Sequence, residues 1–460
     1  MLSCSTRESK EQKPNIIFFL VDDQRNESLG CYGHPVIKTP AIDRLAEEGT
    51  RFTNMFVTTS ICAASRASIF SGVTERTHGY TFGRPVKVVA DTLARLSYPV
   101  LLKKSGYRTG FYGKFGCEME VDKEEMFDEF EAIGGNPYFH EMPDGSLRHE
   151  TDLCADRAIE FINTQPEGQP FCLSVSFNAS HAEDGDKRPG TGHFPWPPSV
   201  DGMYEDIAVP PPRLDTTFYQ KLPAFLAGSL NRERYFWRWD TPEKYQANIR
   251  AYFRMISGID RAIQRVIAEL EANGLADNTV IIYSADNGYY MGDRGFAGKW
   301  SHYEQSLRVP LIVYDPRLPE QKRHQVSDAM TLNIDIPATI LDLAGIEIPG
   351  IYQGMSVVPV VAQNKKDNGR EDFLCEHLWD FDRIPKWEGV HTGRYVYARY
   401  FGQEPPYEFL HDLEKDPDQL KNFIDDENYS KVRKQLRMRC EEITRTYDLG
   451  LQKVKDNQSD

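Results

Sequence analysis

Two pairs of oxygen-bearing side chains, Asp22-Asp23 and Asp286-Asn287, each follow a short apolar run. Acidic groups crowded in this way repel unless a cation compensates them. Donors that are all oxygens suit a hard divalent ion, Ca²⁺ ahead of Mg²⁺ because Ca²⁺ accepts more ligands in looser geometry. Taken singly, each pair is ordinarily a strand-end turn. Cys62 and Arg66 lie one helical turn apart, so both can face one point. Lys114 and Lys299 sit in segments otherwise made of Gly and aromatic residues. With Arg66 they could hold the oxygens of an anion beside the metal. A lone Lys or Arg is otherwise a solvated surface residue.

These groups need a frame that brings strand ends together. Asn15–Val21, Phe171–Phe177 and Thr279–Ser284 are continuous apolar runs, as in buried strands of a parallel sheet. Ligands of open α/β sheets gather at the carboxyl ends of such strands, where Asp22-Asp23 and Asp286-Asn287 stand. Further strands are expected at Arg51–Val57, Arg108–Gly113 and Val309–Tyr314. Helices are expected over 39–49, 63–71, 92–105, 152–164, 242–273, 335–344 and about 429–445. The Pro- and Gly-rich stretch 183–215 is expected to be an ordered insertion or lid without helix. Residues 394–400 alternate with period two, as in an antiparallel strand, and 407–413 fit as its partner. The fold class is α/β: a large, mostly parallel sheet flanked by helices, with a smaller C-terminal α+β subdomain containing an antiparallel sheet. The expected organisation is a disordered tail over 1–13, a catalytic domain over 14–364 and the smaller unit over 365–460.

Composition narrows the partners. The 460 residues carry 54 Lys+Arg against 69 Asp+Glu, a net charge of −15. That disfavours nucleic acid and a basic membrane-binding face, yet a small anion remains possible where cations cluster. Eight cysteines without a C-x-x-C pair form neither a disulfide scaffold nor a zinc ribbon. No apolar run approaches the roughly 18 residues of a transmembrane helix. Met1-Leu2-Ser3-Cys4 resembles the end of a bacterial lipoprotein signal, with Cys4 as the lipidated residue. A periplasmic or cell-envelope location is expected, although no signal peptide is visible.

Cys62-Ala63-Ala64-Ser65-Arg66 resembles the C-x-[P/A]-S-R signature of type I formylglycine-dependent sulfatases of the alkaline phosphatase superfamily. Further segments agree in family order: Asp22-Asp23, Thr109–Lys114, Ser180-His181, Ser284–Gly288, Gly298–Trp300 with Arg308–Val313, and Tyr407–Pro417. The resemblance covers about 14 to 422. It implies a bacterial carbohydrate sulfatase-like enzyme whose Cys62 is oxidised to formylglycine by a formylglycine-generating or anaerobic sulfatase-maturating enzyme. The hydrated aldehyde then offers one hydroxyl to attack sulfur and a second to expel sulfate. The implied metal ligands are Asp22, Asp23, Cys62, Asp286 and Asn287, the implied metal is Ca²⁺, and the implied catalytic residues are Cys62, Arg66, Lys114, His181 and Lys299. His181 and Lys299 would protonate the leaving alkoxide.

One position departs from the family. Its Gly-Lys segment ordinarily carries a histidine two residues after the lysine; here that place is Gly116. His78, His140, His193 and His302 are candidates to replace it, as is Asp286, and Gly116→His is expected to be tolerated. Arg188, His193, Arg238, His377 and Trp379 are candidate sugar contacts, although tryptophans at such places also fill domain interfaces. Two other readings stay open: a phosphodiester or phosphonate-ester hydrolase of the same superfamily, and a non-catalytic glycan-binding relative.

Overall fold

Apolar runs become central strands here because both of their faces are covered. The computed structural model describes residues 13–84, 86–185, 193–363 and 365–456. Cys4 and Arg188 lie outside the described residues. Eight strands make the large sheet: β1 (Asn15–Val21), β2 (Thr50–Phe52), β3 (Arg108–Gly113), β4 (Glu129–Ala132), β5 (Phe171–Ser176), β6 (Thr279–Ala285), β7 (Leu311–Tyr314) and β8 (Gln325–Ser327). Their spatial order is β8-β2-β7-β6-β1-β5-β3-β4. Every pairing is parallel except those of β7, which runs against both neighbours. β1, β5 and β6 are buried at every residue, as strands covered on both faces must be.

Proline accounts for two departures from the expected elements. The helix expected over 92–105 is two, Asp91–Ala94 and Tyr98–Lys104. Pro99 lacks an N–H and would collide with the carbonyl four residues back, so the helix restarts around it. The strand expected from Val309 begins only after Pro310, at Leu311. The run 51–57 also splits, giving β2 and the short strand Met55–Phe56, which pairs in a separate two-stranded sheet with Thr331–Leu332. Within 183–215 the described residues hold one 3-10 turn, Pro198–Val200, and no α-helix. An unforeseen helix, Leu230–Arg238, follows it.

A second sheet, antiparallel throughout, takes β9 (Phe373–His377), β10 (Trp387–His391), β11 (Tyr395–Tyr400) and β12 (Tyr407–Asp412) in sequence order. Strand side chains alternate between faces. Leu374, Val390, Tyr397 and Leu410 pack on the C-terminal helix Ser430–Asp456 through Leu436, Cys440 and Ile443. Cys375, Trp387, Ala398 and Phe409 join the core of the large sheet. The period-two pattern thus clamps this sheet between its own helix and the rest of the molecule.

Candidate active site

Four neighbouring strands of the large sheet deliver the charged groups. Asp22 and Asp23 follow β1, Asp286 and Asn287 follow β6, Lys114 follows β3, and His181 lies just beyond β5. Gly113 permits this convergence: a Cβ there would stand 2.0 Å from the Ser176 carbonyl, so β3 and β5 could not end so close together. Cys62 opens the helix Cys62–Ser71, all of it buried, and no side chain caps it at Ile61. The free N–H groups of that first turn give Cys62 a partly positive setting.

The contacts are dense. Arg66 Nε donates to Asp286 Oδ2 at 2.7 Å, and its Nη1 donates to the Lys114 carbonyl and Ser176 Oγ. Lys114 Nζ donates to Asp22 Oδ2, and Lys299 Nζ to Asp23 Oδ1. Asn287 Nδ2 also donates to Asp23 Oδ1, at 2.6 Å. His181 Nε2 is 3.6 Å from Asp23 Oδ2. Its Nδ1 is 2.7 Å from the Ala182 carbonyl, which can only accept, so Nδ1 carries a proton and Nε2 is left for chemistry. The structure therefore brings Asp22, Asp23, Asp286, Asn287, Arg66, Lys114, His181 and Lys299 into one network. Cys62 joins them electrostatically: burial raises its thiol pKa, against Lys114 and Lys299. Burial also raises the Asp286 carboxyl, aided by Asp22, to about 7. Burial would raise Asp22 as well, but Lys114, His181 and Lys299 outweigh it and hold that carboxyl far below its ordinary range.

A divalent cation fits this donor set. Among the described residues Asp22 Oδ1, Asp23 Oδ2 and Asn287 Oδ1 are buried without a hydrogen-bond partner. Buried polar atoms are rarely left so unless something else satisfies them. Single ligand atoms of Asp22, Asp23 and His181 lie within 4.8 Å of one another, which adds an imidazole to the oxygens expected. Arg66 Nη2 is also buried and unpartnered.

Gly116 overturns one expectation. It has φ +73°, and a Cβ there would stand 2.6 Å from Arg66 Cδ and 3.6 Å from Lys114 Cε. Gly116→His is therefore not a tolerated change; it displaces the arginine of the site. Three of the four candidate replacement histidines are held by other partners. His78 packs on Ser68 Oγ and the Tyr80 N–H, His140 on the Gly134 carbonyl, and His302 on Tyr400 and His411. His193 is buried with its backbone N–H on Asn248 Oδ1, so its main chain belongs to the packing against the long helix Pro242–Ala272.

The candidate sugar contacts separate. His377 is closed to solvent, and burial pushes its pKa down to about 3, so this neutral ring makes no exposed sugar contact. Trp379 is half-buried and stacks on Phe381 at 4.7 Å in a cluster with Ile61 and Trp300, neighbours of Cys62 and Lys299. Trp300 is held at φ 77°, a strained value for a bulky residue. Arg238 is buried and donates to Asp184. Asp184 and Arg234 were not foreseen, although Arg234 and Arg238 are spaced to share a helix face. Burial would raise the Asp184 carboxyl, but His181, Arg234 and Arg238 hold it below its ordinary range, which places it beside the site.

The sulfatase family profile matches residues 14–346, and a profile described as N-sulphoglucosamine sulphohydrolase, C-terminal, matches 292–446. The N-acetylglucosamine-6-O-sulfatase of Bacteroides thetaiotaomicron is 26% identical over 532 aligned positions, covering 100% of this chain and 90% of that protein. A structure solved with its substrate D-glucosamine-2-N,6-O-disulfate superposes at TM-score 0.76 and 24% identity, covering 95% of this chain and 98% of the other. The phosphonate monoester hydrolase of Agrobacterium radiobacter also reaches TM-score 0.76, at 20% identity, covering 94% and 96%. Likeness at that identity establishes the fold and does not choose between the two chemistries. The family profile, spanning most of the chain and every strand-end group described above, makes the choice: the chain belongs to the sulfatase family of sulfuric ester hydrolases.

Proposed function

We propose that this enzyme hydrolyses a sulfate ester on a saccharide, with Cys62, as formylglycine, supplying the nucleophile. The observation that carries this reading is one network of three carboxylates and three cations, gathered at neighbouring strand ends beside the residue opening the helix Cys62–Ser71. The sugar-directed name of the Bacteroides relative supports the saccharide. A hydrated formylglycine at position 62 would supply the hydroxyl that attacks sulfur and a second one that expels sulfate. Asp22, Asp23, Asp286 and Asn287 would hold Ca²⁺, which adds Lewis-acid charge at the sulfuryl oxygens. Arg66, Lys114 and Lys299 keep N–H donors beyond those spent on carboxylates and are placed to bind those oxygens. Their charge stabilises the transition state in a water-poor setting. His181 Nε2 faces the same site, and on taking a second proton, which burial disfavours and Asp23 favours, the ring would pass that proton to the departing sugar oxygen, whose high basicity demands an acid.

Residues 14–364 carry this chemistry, and 365–460 form the smaller unit packed against it. A formylglycine-generating or anaerobic maturating enzyme is the required partner, and a sulfated glycan as substrate fits a periplasmic or envelope location. No described helix is long and apolar enough to cross a membrane. Cys62→Ala tests the reading: sulfate release should vanish while the melting temperature holds, and peptide mass should show formylglycine only in the wild type. Turnover retained by Cys62→Ala would sink it.

A further inference from the structure

The helix Leu230–Arg238 presents Asn231, Arg234 and Arg238 at positions i, i+3 and i+7, one face of a helix. That face leans on the two segments that carry the proposed proton donors. Asn231 Nδ2 donates to the Lys299 carbonyl at 2.6 Å, and the Arg234 guanidinium lies 5.0 Å from the Trp300 ring centre. On the other side Arg234 and Arg238 both donate to Asp184, three residues past His181. Two arginines share one carboxylate, which leaves this trio one positive charge in excess.

Its hydrogen bonds are also unfinished. Arg238 is fully buried, yet among the described residues its Nε and Nη1 have no partner; Arg234 Nε, the Tyr289 hydroxyl, Asn231 Oδ1 and the Trp300 indole N–H are likewise buried and unpartnered there. Buried guanidinium N–H groups without acceptors are costly. Arg370, by comparison, meets both oxygens of Asp335 through its two terminal nitrogens. Asp184 is 29% and Arg234 14% exposed at the side chain, so the cluster opens to solvent on one side.

We propose that Asp184, Arg234, Arg238 and Tyr289 form a subsite for a second anionic group on the saccharide, a carboxylate or another sulfate, next to the ester being cut. An oxyanion there would take the free guanidinium N–H groups, a fork geometry that suits both anions. Asn231 and the Trp300 indole would meet the neutral part of the ring. The proposal rests on the saccharide reading above, and the test separates the two.

Rates are measured with formylglycine verified at position 62, on three substrates: a monosulfated N-acetylhexosamine, its disulfated counterpart, and the monosulfated sugar joined to a uronate. The expected result is a wild-type kcat/KM favouring one of the two doubly anionic substrates, which identifies the anion as sulfate or carboxylate. The ratio of that value to the monosulfated one should fall about 10- to 100-fold in Arg238→Met and Arg234→Met, the worth of a charged hydrogen bond. Arg238→Lys should recover only part of it, since charge survives and the fork does not. Arg234→Met changes the more exposed arginine, so it keeps the test decisive should Arg238→Met fail to fold. No wild-type preference, or a ratio unmoved in the variants, overturns the subsite while leaving the saccharide reading in place. A wild type inactive on all three sugars yet active on an aryl sulfate overturns the saccharide reading and the subsite with it.

Discussion

Two clusters of buried charge lie at opposite ends of one short stretch of chain, and they are finished differently. Around Arg76, just beyond the helix Cys62–Ser71, Glu376 takes the Arg76 backbone and Nε, Glu388 takes Nη2, and Arg399 closes on Glu388. Glu75 beside it is met by the Thr81 hydroxyl and the Leu378 N–H. No carboxylate oxygen of this cluster is left without a partner among the described residues. At the other end of the helix Asp22, Asp23, Asn287 and Arg66 each keep a buried atom unpartnered among the described residues. Both clusters mix acids and cations, so composition does not tell them apart. The oxygens do: Arg399 Nε is unpartnered in the first cluster as Arg66 Nη2 is in the second, but only the second leaves buried carboxylate and amide oxygens unfinished, which suits a cation.

The sharpest way to break this comparison is Arg76→Leu. It strands Glu376 and leaves Glu388 to Arg399 alone, so stability should drop by about 3–5 kcal/mol, read as a lower denaturant midpoint. A variant as stable as the wild type would mean the completed cluster matters no more than the open one. Next comes Glu75, whose carboxyl is pushed up to about 7 by burial and by the charge of Glu376. An acid with a raised folded pKa binds its proton more tightly when folded. Stability should therefore fall as pH rises from about 4.5 to about 7 and level off above, by at most about 3 kcal/mol. Glu75→Gln should flatten that slope; an unchanged slope would place its origin elsewhere. The smallest effect belongs to the open cluster. Ca²⁺ at a hundredfold excess over its Kd should stabilise the fold by about 2.7 kcal/mol, seen as a higher Tm that chelation reverses. Asn287→Ala should shrink that shift, and an equal shift in the variant would exclude Asn287 as a ligand.

Much of this was legible in the sequence, for physical reasons. Apolar runs that end in Asp-Asp or Asp-Asn announce both a buried strand and what its end presents. Cys62 and Arg66 share a helical turn, so spacing alone joins them. Gly116 was misread because a missing side chain looks like a missing function; only the backbone angle and the nearness of Arg66 show that the space is needed. The break at Pro99 was readable and overlooked. Asp184 escaped notice because it meets Arg234 and Arg238 across about fifty residues, and no local pattern marks that meeting. Even so, the spacing of Asn231, Arg234 and Arg238 hinted that one helix face had a task.

The strand order has a consequence for how such an enzyme can change. Asp22, Asp23, Asp286, Asn287 and Lys114 stand at the ends of β6, β1 and β3, with β5 between them, adjacent rods held about 4.8 Å apart by backbone hydrogen bonds that no side chain alters, while Cys62 and Arg66 stand on the helix Cys62–Ser71. The helix that meets Asp184 belongs to the excursion between β5 and β6, which lengthens or shortens without touching that spacing. Reaction and selectivity are thus inherited on largely separate stretches of chain, meeting only where His181 and Asp184 leave β5. Descendants of such a protein can trade one sugar for another by rewriting an insertion, while the machinery beneath it stays in register.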